Sequence, residues 1–115
     1  GKSDCSLRSF CEMIARTADL VGVECLGIGS DLCQDHPDGV VEWMRVGRWT
    51  KNIDYGEGNV SEAGFPEMPE WFKDNRDFQN IKEGLLTQGF SKKDVAAIMG
   101  ENWLKFFDKG FMPQI

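Results

Sequence analysis

The chain has 115 residues, which suits one domain, and its composition of 41% hydrophobic and 28% charged residues is that of a globular protein. Its formal net charge of −6 and its scattered Lys and Arg residues argue against a nucleic-acid partner, because phosphate binding needs clustered basic side chains. No apolar run approaches the roughly 20 residues of a membrane-spanning helix. The first residues do not resemble a signal peptide, so we expect a cytoplasmic compartment.

The first predicted element is a helix over residues 6–21. Its apolar residues recur at steps of three and four and make one helical face: Leu7, Phe10, Cys11, Ile14, Ala18 and Val21. Gly22 follows at the position of a helix C-cap.

Residues 23–30 form the next predicted element, a β-strand. The run is short, apolar and bounded by glycines, which is typical of a strand buried on both faces. Gly27 and Gly29 indicate either a bend or the close approach of another group. A strand has to pair, and unpaired buried backbone is costly. We therefore expect its partner strands to come from another copy or from residues outside this sequence.

Residues 32–68 form a long loop or insert. Asp35-His36-Pro37-Asp38-Gly39 is strong turn chemistry, and a short helix is predicted within residues 40–49. A loop of this length inside a domain more often has a function than not. The Asn59-Val60-Ser61 sequon matters only in a secreted protein.

Three further helices are predicted over residues 70–76, 78–88 and 92–108. Gly89 ends the second, and Ser91 with Asp94 forms a capping box that begins the third. In the last helix, Trp103, Phe106 and Phe107 are interpreted as core residues, and Asn102 is expected to bond a neighbouring loop through its side chain.

Four cysteines are present, and no two of them have C-x-x-C spacing: Cys5, Cys11, Cys25 and Cys33. We interpret them as small buried hydrophobic residues with reduced thiols. A zinc site made of Cys25, Cys33 and His36 is the alternative.

Two sets of residues resemble, in order, the carboxyl-terminal portion of the membrane (renal) dipeptidase family of zinc peptidases. The first set is Ala18-Asp19-Leu20-Val21-Gly22 followed by Leu26-Gly27-Ile28-Gly29-Ser30-Asp31. The second lies in residues 84–107 and includes Gly89-Phe90-Ser91, Asp94-Val95, Ile98-Met99-Gly100 and Asn102-Trp103-Leu104. The resemblance implies an α/β origin, in which the chain is a carboxyl-terminal fragment of a (β/α)₈ barrel, mostly helical with one strand.

The resemblance also implies an activity and a site. Members of the family hydrolyse dipeptides with a binuclear zinc centre, and some open carbapenem-type β-lactam rings. Asp31 matches the aspartate that ends the family's last barrel strand, where it would contact the catalytic water or the substrate amine. The alternative for Asp31 is a carboxylate that caps the following turn.

The sequence departs from the family where the zinc ligands are concerned. The family's His-x-Asp, bridging Glu and two later His have no match here, so we expect no zinc in this chain alone and no activity from it. The family's Asp-aromatic-Asp-Gly is replaced by Asp31-Leu32-Cys33-Gln34. His36, Arg45 and Arg48 are weak candidates for substrate binding. Trp43 and Trp49 would line a cleft or pack in a core or subunit contact.

A second function remains open, since a stand-alone helical module that binds a protein partner would also explain the apolar helix faces. In either case we expect a homo-oligomer if the chain folds alone, because an open strand edge and exposed apolar surface promote association.

Overall fold

Helix α1 spans Leu7–Val21, and both of its ends are set by local chemistry. The Ser6 hydroxyl accepts a hydrogen bond from the Ser9 amide at 3.1 Å and caps the first turn. Gly22 ends the helix at φ 88°, in the positive-φ region that favours glycine, and its amide donates to the Ala18 carbonyl at 2.8 Å. This element lies where the sequence predicts it.

The computed structural model describes residues 5–48, 50–56, 58–111 and 113. Within them, helix α2 spans Gly39–Val46 and helix α3 spans Phe78–Gln88. Gly89 ends α3 in a left-handed conformation at φ 106°. Helices α1 and α3 therefore end at Gly22 and Gly89, as the sequence predicts.

The last helical region is a single kinked unit. Helix α4 spans Lys92–Ala96 and begins at Ser91, whose hydroxyl accepts from the Asp94 amide at 3.1 Å. A π-helical stretch, Ala97–Glu101, joins it to helix α5, Asn102–Gly110. The kink lies at Gly100, whose φ and ψ of 172° and −29° are not helical.

The core lies between α1, α3 and the α4 end of the kinked unit. Its buried members come from all three elements and from the loop before α3: Cys11, Ile14, Phe72, Ile81, Leu85, Val95 and Ile98. Leu85 and Ile98 have no solvent exposure. Burial of these apolar side chains drives the packing of the three helical elements.

Gly84 allows α1 and α3 to pack closely. A Cβ at this position would lie 2.7 Å from the Cys11 Sγ atom and 3.0 Å from a Leu7 methyl group. The helix interface has no space for even one more carbon, because interiors are close-packed.

The predicted strand over residues 23–30 is wrong, and with it the assignment as a (β/α)₈ barrel fragment. Val23–Cys25 is one turn of 3₁₀ helix, Leu26 is extended, and residues 26–30 pair with no strand among the described residues. The described part of the chain is a small helical domain without a β-sheet. Side chains, rather than a neighbouring strand, satisfy carbonyl groups of this segment, as described below.

The helix predicted over residues 70–76 is also wrong. The chain makes a turn at Glu70-Trp71 and a single 3₁₀ turn at Asn75–Asp77. Asp74 is fully extended at φ −148° and ψ 179°, which interrupts any helix there. Its carboxylate accepts from the Arg76 amide, and the Asp77 carboxylate accepts from the Asp74 amide. Side-chain bonds of this kind compete with helix formation.

The interpretation of the cysteines as buried residues holds only for Cys11. Cys5, Cys25 and Cys33 are exposed. Burial raises the pKa of the Cys11 thiol. None of the helices in the described residues is long and apolar enough to cross a lipid bilayer.

We expect Gly84→Ala to destabilise the protein by about 1 kcal/mol, because overpacking of the α1–α3 interface outweighs the gain in helix propensity. Urea unfolding measures the change. Gly110→Ala is the matched control, since a Cβ at Gly110 meets no atom within 4 Å, and it should not destabilise the protein. Equal effects of the two substitutions would show that the helices do not meet at Gly84.

Asp74 gives a pH-dependent prediction. Hydrogen bonds from the Arg76 side chain and amide lower the pKa of Asp74 from its ordinary 3.8 to about 2. Its contribution to stability is therefore complete above pH 3.8 and is lost as the pH falls through about 2. Arg76→Ala should move the midpoint of the Asp74 carboxyl ¹³C titration back toward 3.8. An unchanged midpoint would refute this assignment.

Candidate functional site

The segment between α1 and α2 carries the candidate catalytic residue Asp31. After the 3₁₀ turn, Leu26 is extended at φ −102° and ψ 144°. The Leu26 amide donates to the Val23 carbonyl at 3.1 Å, which closes the turn. The chain then runs without regular structure to Asp31, so its course depends on contacts with other elements.

Asn102, the first residue of α5, supplies the strongest of these contacts. Its Nδ2 group donates to the Val23 carbonyl and to the Leu26 carbonyl, both at 2.8 Å. Asn102 is half-buried, so the two bonds lie in a partly dehydrated environment. The expectation that Asn102 bonds a neighbouring loop is confirmed. Asn102 thus fixes the segment to the start of α5.

Trp103 makes the next contact along the segment. Its indole Nε1 donates to the Ile28 carbonyl at 3.2 Å. The indole ring also lies against Gly27, where a Cβ would collide with it. The close approach predicted at Gly27 is therefore the Trp103 ring, while Gly29 has open space around it.

Asp31 follows this anchored segment and has an unusual backbone. Its φ of 49° is in the left-handed region, which few non-glycine residues adopt, although Asp tolerates it better than most. Such conformations cluster at functional sites. The Leu32 amide donates to the Ser30 hydroxyl at 3.3 Å, so Ser30 rather than Asp31 caps this turn. The Asp31 side chain is exposed to solvent.

Arg45, one of the other site candidates, has its side chain engaged by a loop. Arg45 is half-buried, and its Nη1 donates to the Ala63 carbonyl at 2.9 Å and the Gly64 carbonyl at 3.2 Å. Arg45 therefore holds the 58–64 loop against α2 rather than facing a substrate. His36 lies exposed in its turn, and Arg48 is exposed just beyond α2.

The exposure of the aromatic side chains tests whether they pack in the core of this chain. Trp43 is 61% exposed on α2 and is not a core residue of this chain. Trp49 lies outside the described residues. The interpretation of Trp103, Phe106 and Phe107 as core residues is wrong, since they are 42%, 64% and 44% exposed.

Two concave regions in the described part of the chain are relevant to the site candidates. The larger, about 810 Å³, lies along the 58–70 loop and carries the carboxylates of Asp38, Glu62, Glu67 and Glu70. The Phe65 amide donates to Asp38 at 3.1 Å, so Asp38 is part of the loop structure. Asp31 does not line this cleft. The smaller, about 230 Å³, is an apolar groove between α1 and the Leu26–Gly29 segment.

The described residues do not fit a zinc centre. Among them, no three His, Cys, Asp or Glu side chains lie close enough together to hold a metal ion. The alternative zinc site of Cys25, Cys33 and His36 is therefore not assembled. Any zinc that works with Asp31 would have to be held by residues outside this set.

No protein-family model, curated protein or solved structure matches the chain. The relationship to the dipeptidase family therefore stays a prediction from the residues quoted from the sequence. Asn102 and Trp103 bond the segment before Asp31. The sequence predicted a loop contact for Asn102, without identifying the loop, and predicted no such contact for Trp103.

The left-handed backbone of Asp31 predicts a selective response to substitution. Asp31→Val should destabilise the chain by about 1–2 kcal/mol, because a β-branched residue does not tolerate positive φ. Asp31→Asn should change stability by less than about 0.5 kcal/mol, because Asn accepts this conformation. Urea unfolding compares the two variants. Equal stability of both would rule out the left-handed conformation.

Proposed function

We propose that the chain is the carboxyl-terminal part of a zinc-dependent, dipeptidase-like hydrolase, to which it contributes Asp31. The proposed reaction is hydrolysis of the peptide bond of a dipeptide. One structural observation supports the proposal more than any other. The two sets of family-like residues are far apart in the sequence, yet they meet where Asn102 and Trp103 bond Val23, Leu26 and Ile28.

The proposed role of Asp31 follows from its chemistry. An ionised carboxylate pairs with the ammonium group of a dipeptide or accepts a proton from an attacking water. An exposed carboxylate on a fixed segment is accessible to such a substrate. In a two-zinc hydrolase the metals polarise the carbonyl and activate water, but the described residues do not hold these metals. The chain alone is therefore proposed to be inactive.

The test uses the complete protein that contains this sequence, loaded with zinc and assayed against dipeptides with L- or D-residues at the carboxyl terminus. Asp31→Asn should lower kcat by about 10²-fold or more, because general acid–base groups contribute effects of this size. The isolated 115-residue chain should show neither turnover nor stoichiometric zinc by elemental analysis.

Asp35→Asn is the control for the loss of a carboxylate, since Asp35 has a similar backbone, with φ 58°, four positions away. It should leave kcat within about twofold of the parent protein, which is the range of a neutral surface substitution. Full activity of the Asp31→Asn variant, or no dipeptide hydrolysis by the zinc-loaded protein, would reject the proposed function.

A second candidate function is a helical module that associates with another copy of itself, and α5 favours it. Trp103, Phe106, Phe107 and Phe111 occupy one face of this region, with ring centroids 5.6–6.0 Å apart. Phe106 and Phe111 are 64% and 80% exposed. A continuous exposed aromatic surface of this kind is typical of an interaction site.

Light scattering after size-exclusion chromatography tests this association on the 115-residue chain. We expect an oligomer, and we expect Phe106→Ser with Phe111→Ser to shift it to the monomer by removing apolar contact area. Leu20→Ser is the control, because Leu20 is also apolar and 85% exposed but belongs to a different helix, α1. A monodisperse monomer of the unmodified chain would exclude self-association.

A further inference from the structure

We propose that Asn102 is a positioning residue for Asp31, and that Trp103 assists it. The inference rests on the proposed function, in which Asp31 is catalytic. Asn102 acts through the backbone: its side chain bonds the Val23 and Leu26 carbonyls of the segment that leads to Asp31.

The two Asn102 bonds supply hydrogen-bond donors to backbone carbonyls of this segment. Backbone carbonyls of an extended chain require donors, and a β-sheet normally supplies them. No strand pairs with this segment among the described residues. The Nδ2 group of Asn102 has two hydrogens, and each goes to a different carbonyl at 2.8 Å. The Leu26 carbonyl thereby gains the donor that a strand would supply, and the Val23 carbonyl, which already closes the 3₁₀ turn, gains a second donor.

The anchoring extends close to Asp31. Trp103 Nε1 bonds the Ile28 carbonyl, so the same turn of α5 holds the segment at three points. At about 3.3 Å per extended residue, Asp31 lies within roughly 10 Å of the last anchor. Because Asp31 is so close to the anchored Ile28 carbonyl, the range of positions of its carboxylate is restricted, which favours catalysis.

The π-helical stretch before α5 points independently to the same residues. The Asn102 amide donates to the Ala97 carbonyl, five residues earlier, instead of the usual four. The extra residue in this turn rotates α5 about its own axis relative to α4. Ile98 stays in the core, while the Asn102 side chain reaches the segment that leads to Asp31. π-turns inside helices occur frequently at functional sites.

A matched pair of substitutions separates positioning from ordinary stabilisation. Asn80 makes the same kind of bond elsewhere, since its Nδ2 donates to the Trp71 carbonyl at 2.8 Å and the residue is also half-buried. Asn102→Asp and Asn80→Asp each remove amide donors without changing side-chain size. Both should reduce stability, but only Asn102→Asp should affect the segment that leads to Asp31.

The first measurement is the backbone ¹⁵N order parameter in the 115-residue chain. Asn102→Asp should lower the values for residues 27–31 from about 0.85 to below about 0.6, while Asn80→Asp should leave them unchanged. Trp103→Phe keeps a ring and both Asn102 bonds, so it should loosen residues 28–31 only and remain folded. Unchanged order in the Asn102→Asp and Trp103→Phe variants would overturn the inference.

The second measurement is dipeptide hydrolysis by the complete zinc-loaded protein. Asn102→Asp should lower kcat about 10–100-fold with a smaller change in KM, because a displacement of about 1 Å costs up to 10²-fold in rate. Asn80→Asp should leave kcat unchanged. An equal loss of kcat in both variants would overturn the inference, while Asp31→Asn still decides the proposed function. Full activity of the Asp31→Asn variant would reject both the proposed function and the positioning role of Asn102.

Discussion

The structure depends on how a peptide segment outside any sheet hydrogen-bonds its carbonyl groups. Val23, Leu26 and Ile28 offer three carbonyls, and the first turn of α5 supplies three N–H donors from Asn102 and Trp103. These bonds join the region after α1 to the last helix of the chain. They also oblige Trp103 to lie over Gly27, where only a glycine leaves enough room. The course of the chain toward Asp31 follows from this one arrangement.

The apolar surface is divided unevenly between the two ends of the molecule. The α1–α3 interface and the α4 end of the kinked unit share a close-packed core, with Leu85 and Ile98 fully buried. The α5 end instead exposes a row of aromatic rings in which each ring contacts the next. Covering this exposed aromatic surface, and so removing it from water, is favourable. Both proposed functions supply such a cover, either from the remainder of an enzyme or from a second copy.

The proposed chemistry centres on a single carboxylate, that of Asp31, rather than on a complete catalytic group. Asp31 combines solvent exposure, a left-handed backbone and an anchored approach segment. The large acidic cleft of the 58–70 loop lies elsewhere, and Arg45 is engaged in holding that loop. A carboxylate can bind an amine or accept a proton, but peptide hydrolysis also needs a means to polarise the carbonyl. We therefore propose that this chain supplies the carboxylate and that other residues of a larger hydrolase polarise the carbonyl.

The sequence by itself determined the features that depend on neighbouring residues. Gly22 and Gly89 marked helix ends, Ser91 marked a helix start, and the periodicity of α1 marked its buried face, because capping and amphipathicity act within a few positions. Asn102 was also recognised as a link to a loop. Only the tertiary structure decided whether residues 23–30 paired in a sheet, since an apolar extended run has the same pattern whether its donors come from a strand or from side chains 75–79 positions away. The exposure of Trp103, Phe106 and Phe107 was likewise decided by packing, because periodicity defines a helix face but not what covers it.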